Sequence, residues 1–261
     1  MKSNYKIKAV FFDVDGTLLS HRHGSVPISA KTAMHRLREN GIKVFAATGR
    51  HMLELKQLSV CDLPFDGYVT LNGQICLDAN KNLLYAAPIK DEDTREMASV
   101  FDQRKIPVMF IEQDDMYVNF VNTAVADAQA AISSPVPSLG VYTGNKIYQF
   151  IVFDREEQVQ RLMRKLSGCE MSQWNPYAFD VIPKDGGKVA GIRQILQHVH
   201  ISREEIMAFG DGENDKDMLR YAGIGVAMGN ADASVKQQAD HVTADVDQDG
   251  VAKALTFYGI L

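Results

Sequence analysis

Residues 7–12 close on Ala9-Val10-Phe11-Phe12, a short apolar run rich in β-formers that predicts a buried strand. Pro27 and Ser29 announce a helix over residues 30–40, and Gly41 ends it. Residues 43–47 predict the next strand, followed by a helix at 52–58 and a strand at 67–71. This βαβαβ order predicts a parallel sheet covered by helices. The same alternation returns near the C-terminus, where Val189, Ile192, Ile195, Leu196 and Val199 repeat at helical spacing. Strands at 206–209 and 224–226 bracket a helix at 215–221, and helices at 231–238 and 251–258 follow.

The middle of the chain reads differently. Runs at 74–77 and 83–87 flank Ala79-Asn80-Lys81-Asn82, a hairpin candidate. Helices are expected at 91–104, 123–132 and 155–166. Strands are expected at 108–112, 116–119, 147–153, 169–174 and 179–182. Residues 133–145, rich in Ser, Pro and Gly, read as loop. The expected organisation is an α/β core made of residues 1–82 and 185–261, interrupted by an inserted α+β unit at 83–184.

Composition narrows the function. The 261 residues are 46% hydrophobic and 23% charged, an ordinary globular balance. A net charge of −5 argues against sequence-independent nucleic-acid binding, which needs a basic surface. An anionic substrate would therefore be drawn by a local site and not by the overall field. The cysteines, Cys61, Cys76 and Cys169, are scattered and form no metal-binding spacing, so they read as thiols in a reducing compartment. The N-terminus shows no signal core, and no apolar run approaches the roughly 18 residues that span a bilayer. A cytoplasmic protein without membrane contact is expected.

Four polar clusters follow the predicted strands or open helices. Asp13-Val14-Asp15-Gly16-Thr17-Leu18 comes directly after the first strand. Carboxylates two residues apart in an extended segment project the same way, from the strand end where ligands bind in parallel sheets. Two adjacent carboxylates suit a charged nucleophile beside a proton donor, and Thr17 can donate to a phosphate oxygen. The same string also serves as a strand-ending Asx turn. Thr48-Gly49-Arg50 follows the second strand; it reads as an anion cradle with a substrate-binding arginine, or as a plain helix start. Gly187-Lys188 opens the stripe helix. A lysine there opposes the helix dipole, which makes sense if its ammonium meets an anion, but a solvated lysine reads equally well. Gly210-Asp211-Gly212-Glu213-Asn214-Asp215 offers hard oxygen ligands without His or Cys, which suit Mg²⁺; the alternative is an acidic helix start.

Taken together, these residues resemble the four motifs of the haloacid dehalogenase superfamily. Asp13-x-Asp15-Gly16-Thr17 is similar to the first, Thr48 to the second, Lys188 to the third and Gly210–Asp215 to the fourth, in that order along the chain. The insert resembles the α/β cap of Cof-type phosphatases. Lys188 is followed by Val189 where glycine is frequent in such families. The resemblance implies a Rossmann-like parallel-sheet core with an inserted cap, and a Mg²⁺-dependent phosphatase of small phosphorylated metabolites, with sugar phosphates favoured. It implies that Asp13 attacks phosphorus and that Asp15 serves as acid and then base. It also implies a cation held by Asp13, the Asp15 carbonyl and Asp211, with Asp215 as a ligand or as support behind it. Thr48, Gly49, Lys188 and Asn214 would hold the phosphoryl group, and a monomer or weak homodimer is expected.

Two other functions compete. A phosphotransferase such as a sugar phosphomutase would pass the phosphoryl group to another alcohol. A receiver phosphorylated on aspartate would share the acidic cluster, but an acid/base Asp15 and a large insert speak against it. With the sheet motifs engaged on phosphate and metal, substrate discrimination is expected in the insert, with Trp174 and Tyr177 as candidates.

Overall fold

The computed structural model describes residues 6–261. The chain divides into two compact units, one running to Tyr85 and resuming at Lys188–Leu261, the other Ala86–Gly187. The first unit begins with β1 (Ala9–Phe12), α1 (Ile28–Glu39), β2 (Lys43–Ala47), α2 (Met52–Leu55), β3 (Gly67–Thr70), β4 (Ile75–Asp78) and β5 (Leu83–Ala86). In the second unit come α3 (Asp91–Gln103), β6 (Val108–Ile111), β7 (Met116–Val118), α4 (Thr123–Ala131), β8 (Ser138–Leu139), β9 (Gln149–Val152), α5 (Glu156–Met163), β10 (Cys169–Asn175) and β11 (Ala178–Pro183). The first unit resumes with α6 (Lys188–Val199), β12 (Ile206–Gly210), α7 (Lys216–Tyr221), β13 (Ile224–Ala227), α8 (Ala233–Lys236), β14 (His241–Val242) and α9 (Gly250–Phe257).

The core sheet has the order β14-β13-β12-β1-β2-β3-β4-β5. From β14 to β3 the pairs are parallel, and β3 with β4 is antiparallel. Covered central strands of a parallel sheet read as continuous apolar runs, and β1 and β12 are buried at every position. Phe11 stacks on Phe45 at 4.8 Å between ring centroids, and Phe12 stacks on Phe209 at 5.0 Å. One face carries Ala9, Phe11, Phe45 and Ala208, packed with Ile192, Ile195 and Leu196 of α6. Each large side chain removed from water there contributes about 1.5–3 kcal/mol. Helix α1 buries Ala30, Ala33, Met34 and Leu37, the i, i+3, i+4, i+7 stripe of an amphipathic helix. Its end carries Arg36 and Arg38, which complement the dipole, and Gly41 leaves it at φ +75°.

The strand order reverses between β1 and β12. The chain builds outward from β1 through β2 and β3 on one side, and later from β12 through β13 and β14 on the other. In open parallel sheets the crevice at the carboxyl ends of such strands is where ligands bind.

The second unit has a sheet of order β10-β11-β9-β6-β7-β8, antiparallel except for β7 with β8. Phe110, Phe150 and Phe179 of this sheet pack with Met97 and Phe101 of α3 and Val159 and Leu162 of α5. The structure departs from the expected pattern at β8, inside the segment read as loop, and at β14. Both are two residues long and are defined by pairing with a neighbour. So short a strand has no side-chain period to display. The hairpin reading of 74–87 matches β4 and β5, neighbours in the core sheet; Asp78 closes their turn by accepting from the Asn82 N–H at 2.8 Å.

Among the described residues no helix is long and apolar enough to cross a membrane. Cys76 and Cys169 are buried thiols and Cys61 is half-buried, none in a disulfide. The leader reading of the N-terminus falls partly on residues 1–5, outside the described residues.

Candidate active site

Asp13 extends the β1 ladder by one bond, its N–H donating to the Phe209 carbonyl at 2.9 Å. The chain then folds back. The N–H groups of Leu18 and Leu19 donate to the Val14 carbonyl, and the N–H of Gly16 donates to the Leu19 carbonyl. Val14 and Leu18 are fully buried beneath this loop, so its polar side is fixed from below. Gly16 stands at φ +74°, and a Cβ there would lie 2.1 Å from Asp211 Oδ2. Both the backbone angle and the lack of space therefore require glycine.

Asp211 leaves β12 just as Asp13 leaves β1, so the two acids flank the point where the strand order reverses. Lys188, the first residue of α6, is buried, with Nζ 2.6 Å from Asp13 Oδ1 and 2.6 Å from Asp215 Oδ1. Asp215 is fully buried; its Oδ2 accepts from the N–H groups of Asp211 at 3.0 Å and Gly212 at 2.8 Å. Gly210 makes room for it, since a Cβ there would meet the Asp215 side chain at 2.5 Å. Thr17 donates its hydroxyl to Asp211 Oδ1 at 3.0 Å.

Asp13, Asp211 and Asp215 each offer a carboxylate oxygen within 4.8 Å of the others. Burial holds the Asp13 carboxyl well above the usual range, and the Asp215 charge adds to this against the opposing pull of Lys188. Burial likewise pushes Asp211 up to about 7, with Asp215 adding and Thr17 opposing. Burial pulls the Lys188 ammonium down, but Asp13 and Asp215 outweigh it and the net shift is upward. Ionising all three carboxyl groups against one ammonium would leave an excess of negative charge, and a bound cation would offset it. An all-oxygen donor set in that state fits a hard divalent cation such as Mg²⁺.

The remaining expected residues converge less simply. Thr48 is buried at the end of β2, where its Oγ1 accepts from the Arg50 N–H at 3.1 Å, and Gly49 lies between them. Arg50 is a candidate substrate contact. The structure turns it onto Asp15 as a two-pronged pair, Nε to Oδ2 at 2.6 Å and Nη2 to Oδ1 at 2.7 Å, with Glu54 3.8 Å away. Glu54 also accepts from the His51 N–H in the capping box of α2. The physical reason is burial: a guanidinium only 5% exposed needs fixed carboxylates, and Asp15 and Glu54 supply them. Asn214, also expected on the phosphoryl group, donates its amide to Asn72 Oδ1 at 2.8 Å.

Two residues escaped the sequence reading. Asn72 lies just past β3 among Leu71 at φ 51°, Asn72 at φ 51° and Gly73 at φ 95°, three consecutive left-handed residues. For leucine that conformation costs of order 1–3 kcal/mol. Asn230, after β13, reaches Gly16 and Asp211. Asn72-Gly73 and Gly229-Asn230 each follow a strand of the same sheet, and that shared position was the available signal. In isolation both dipeptides are ordinary turn chemistry.

The profile of the haloacid dehalogenase-like hydrolases matches residues 10–255. A solved phosphatase of the haloalkanoate (HAD) enzyme superfamily, BT1666 from Bacteroides thetaiotaomicron, superposes with a TM-score of 0.90 at 32% identity, over 99% of this chain and 97% of that one. The HAD subclass IIB sugar phosphatase BT4131 gives a TM-score of 0.87 at 35% identity, over 97% of this chain and 100% of that one. The HMP-PP phosphatase of Yersinia pseudotuberculosis serotype I (strain IP32953) is 29% identical over 263 residues, 96% of this chain and 94% of that protein.

Proposed function

The chain belongs to the haloacid dehalogenase-like hydrolase family, and from that premise we propose that it hydrolyses small phosphate monoesters through a phosphoryl group carried on Asp13. The observation that carries this reading is the cluster of buried Asp13, Lys188 and Asp215 with half-buried Asp211 at the reversal of strand order. Relatives named as phosphatases support it, and the 35% identity to a sugar phosphatase favours phosphorylated sugars among the substrates.

Uncatalysed phosphate-monoester hydrolysis is so slow that stabilisation of roughly 20 kcal/mol or more is needed. Phosphoryl transfer answers chiefly to in-line positioning and neutralisation of oxygen charge. Asp13 supplies the nucleophile: its carboxylate oxygen bonds to phosphorus while the bond from phosphorus to the alcohol oxygen breaks. Lys188 orients that carboxylate and holds positive charge beside it. Asp15 gives its proton to the departing oxygen. In the second half it takes a proton from water, whose oxygen bonds to phosphorus as the bond to Asp13 breaks, returning Asp13 as a carboxylate. Each Asp15 oxygen accepts one bond from Arg50, which orients the carboxyl group and leaves a lone pair on each oxygen for the proton. A Mg²⁺ held by Asp13, Asp211 and the Asp15 main-chain carbonyl would supply further positive charge to the phosphoryl oxygens. Asp215, with one oxygen on Lys188 and the other on two N–H groups, serves as support.

The test is phosphate release over a panel of phosphorylated metabolites, with Mg²⁺ and with excess EDTA. Activity is expected on several sugar phosphates with Mg²⁺, at background in EDTA, and restored on adding back the cation. Full turnover in EDTA would overturn the metal assignment. Isomerised substrate without free phosphate would overturn hydrolysis in favour of transfer.

A further inference from the structure

Asn230 stands in the turn after β13 and ties together three segments far apart in sequence. Its Nδ2 donates to the Gly16 carbonyl at 2.8 Å and to Asp211 Oδ2 at 3.1 Å. Its Oδ1 accepts from the Val246 N–H at 3.0 Å. None of these bonds belongs to a helix or a sheet ladder. Asp211 is consequently held at both oxygens, by Thr17 on Oδ1 and by Asn230 on Oδ2, against a Gly16 that leaves it no spare room.

An asparagine amide has a donor end and an acceptor end, and only one orientation works here. Rotated by half a turn, Oδ1 would face the Gly16 carbonyl and the Asp211 carboxylate, acceptor against acceptor. The Val246 N–H opposes that rotation by occupying Oδ1. We propose that Asn230 is a positioning residue that presets Asp211 for a divalent cation, and that the Val246 N–H locks Asn230 in the orientation required. The proposal rests on Asp211 being a metal ligand.

The C-terminal partner can be altered without touching the acids. Val246 is the first residue of a one-turn 3₁₀ segment, Val246–Gln248, and the residue before it, Asp245, lies at φ −62° and ψ 159°. Proline is tolerated at the first helical position and favours that extended backbone in its predecessor. Val246→Pro therefore removes the N–H in a backbone that accepts it. Val246→Ala trims the side chain and keeps the N–H.

The experiment is calorimetric titration of the metal-free, full-length protein with Mg²⁺, accompanied by thermal unfolding of each variant without metal. Loss of a group that orients a metal ligand typically weakens metal binding by about 10–100-fold, and that is expected of Asn230→Ala. Val246→Pro is expected to weaken Mg²⁺ binding in the same direction, Val246→Ala to leave it within about twofold, and all three to stay folded. Parental affinity in Asn230→Ala, or equal effects of the two Val246 variants, would overturn the proposal. Asp211→Asn is the control that separates the two readings. If it binds as the parent does, or the parent binds no Mg²⁺, the metal assignment falls and this inference with it. If Asp211→Asn is impaired and Asn230→Ala is not, only the role of Asn230 falls.

Discussion

Asp13→Asn is expected to form no phospho-enzyme, whereas Asp15→Asn is expected to form one and fail to discharge it. The two carboxylates share a turn, but the structure gives them different partners: Lys188 for Asp13 and Arg50 for Asp15. Removing Asp13 removes the atom that bonds to phosphorus. Loss of a nucleophile that acts as a unit with its partners can cost on the order of 10⁶ in kcat. On the proposed mechanism, removing the Asp15 carboxylate removes a proton donor and base, typically worth about 10²–10⁴-fold. An aryl phosphate with a good leaving group needs little protonation, so Asp15→Asn should still phosphorylate Asp13 with such a substrate. Hydrolysis of the adduct then stalls for want of a base. Rapid-quench mass analysis distinguishes the two variants. An adduct on the Asp13 variant, or an Asp15 variant turning over at the parental rate, would reverse the roles.

Lys188→Ala is expected to damage folding as well as activity. Its ammonium is the one cation touching Asp13 and Asp215 among the ion pairs of the described residues, and all three groups are buried. Removing one partner of a buried pair leaves the other charge uncompensated, at a cost of about 3–5 kcal/mol. Urea unfolding of the metal-free proteins measures the difference. A loss below about 1 kcal/mol would mean that the carboxylates are neutralised by other means. Lys188→Arg keeps the charge but must fit a bulkier, planar group into the same enclosure, so it is expected to recover only part of the stability.

Much of the core was legible because its signals are local. The Phe-rich run of β1, the stripe of α6 and the acidic strings after β1 and β12 each announce themselves within a few residues. Asp13, Asp211 and Lys188 could be nominated for the same reason: each follows a strand or opens a helix. What each one touches was not legible. The pairing of Arg50 with Asp15 was hidden because nothing in the neighbourhood of either residue shows that they turn toward each other across 35 residues. Asn230 went unnoticed because its partner Gly16 lies 214 residues away and a lone asparagine after a strand carries no pattern. β8 and β14 stayed hidden because pairing, which is non-local, creates them.

The position of β1 in the sheet also bears on how the protein is made. β1 pairs with β2 on one side and with β12 on the other, and β12 begins only at Ile206. At about 5–20 residues per second of synthesis, roughly 10–40 s separate the emergence of β1 from that of its second partner. Throughout that interval the nascent chain carries an apolar strand with one open edge, a template for pairing with other chains. The second unit, which closes its own sheet within Ala86–Gly187, can fold while the edge waits. Codon usage that slows translation between β2 and β12 should therefore lower the soluble yield, and a chaperone that shields strand edges should restore it.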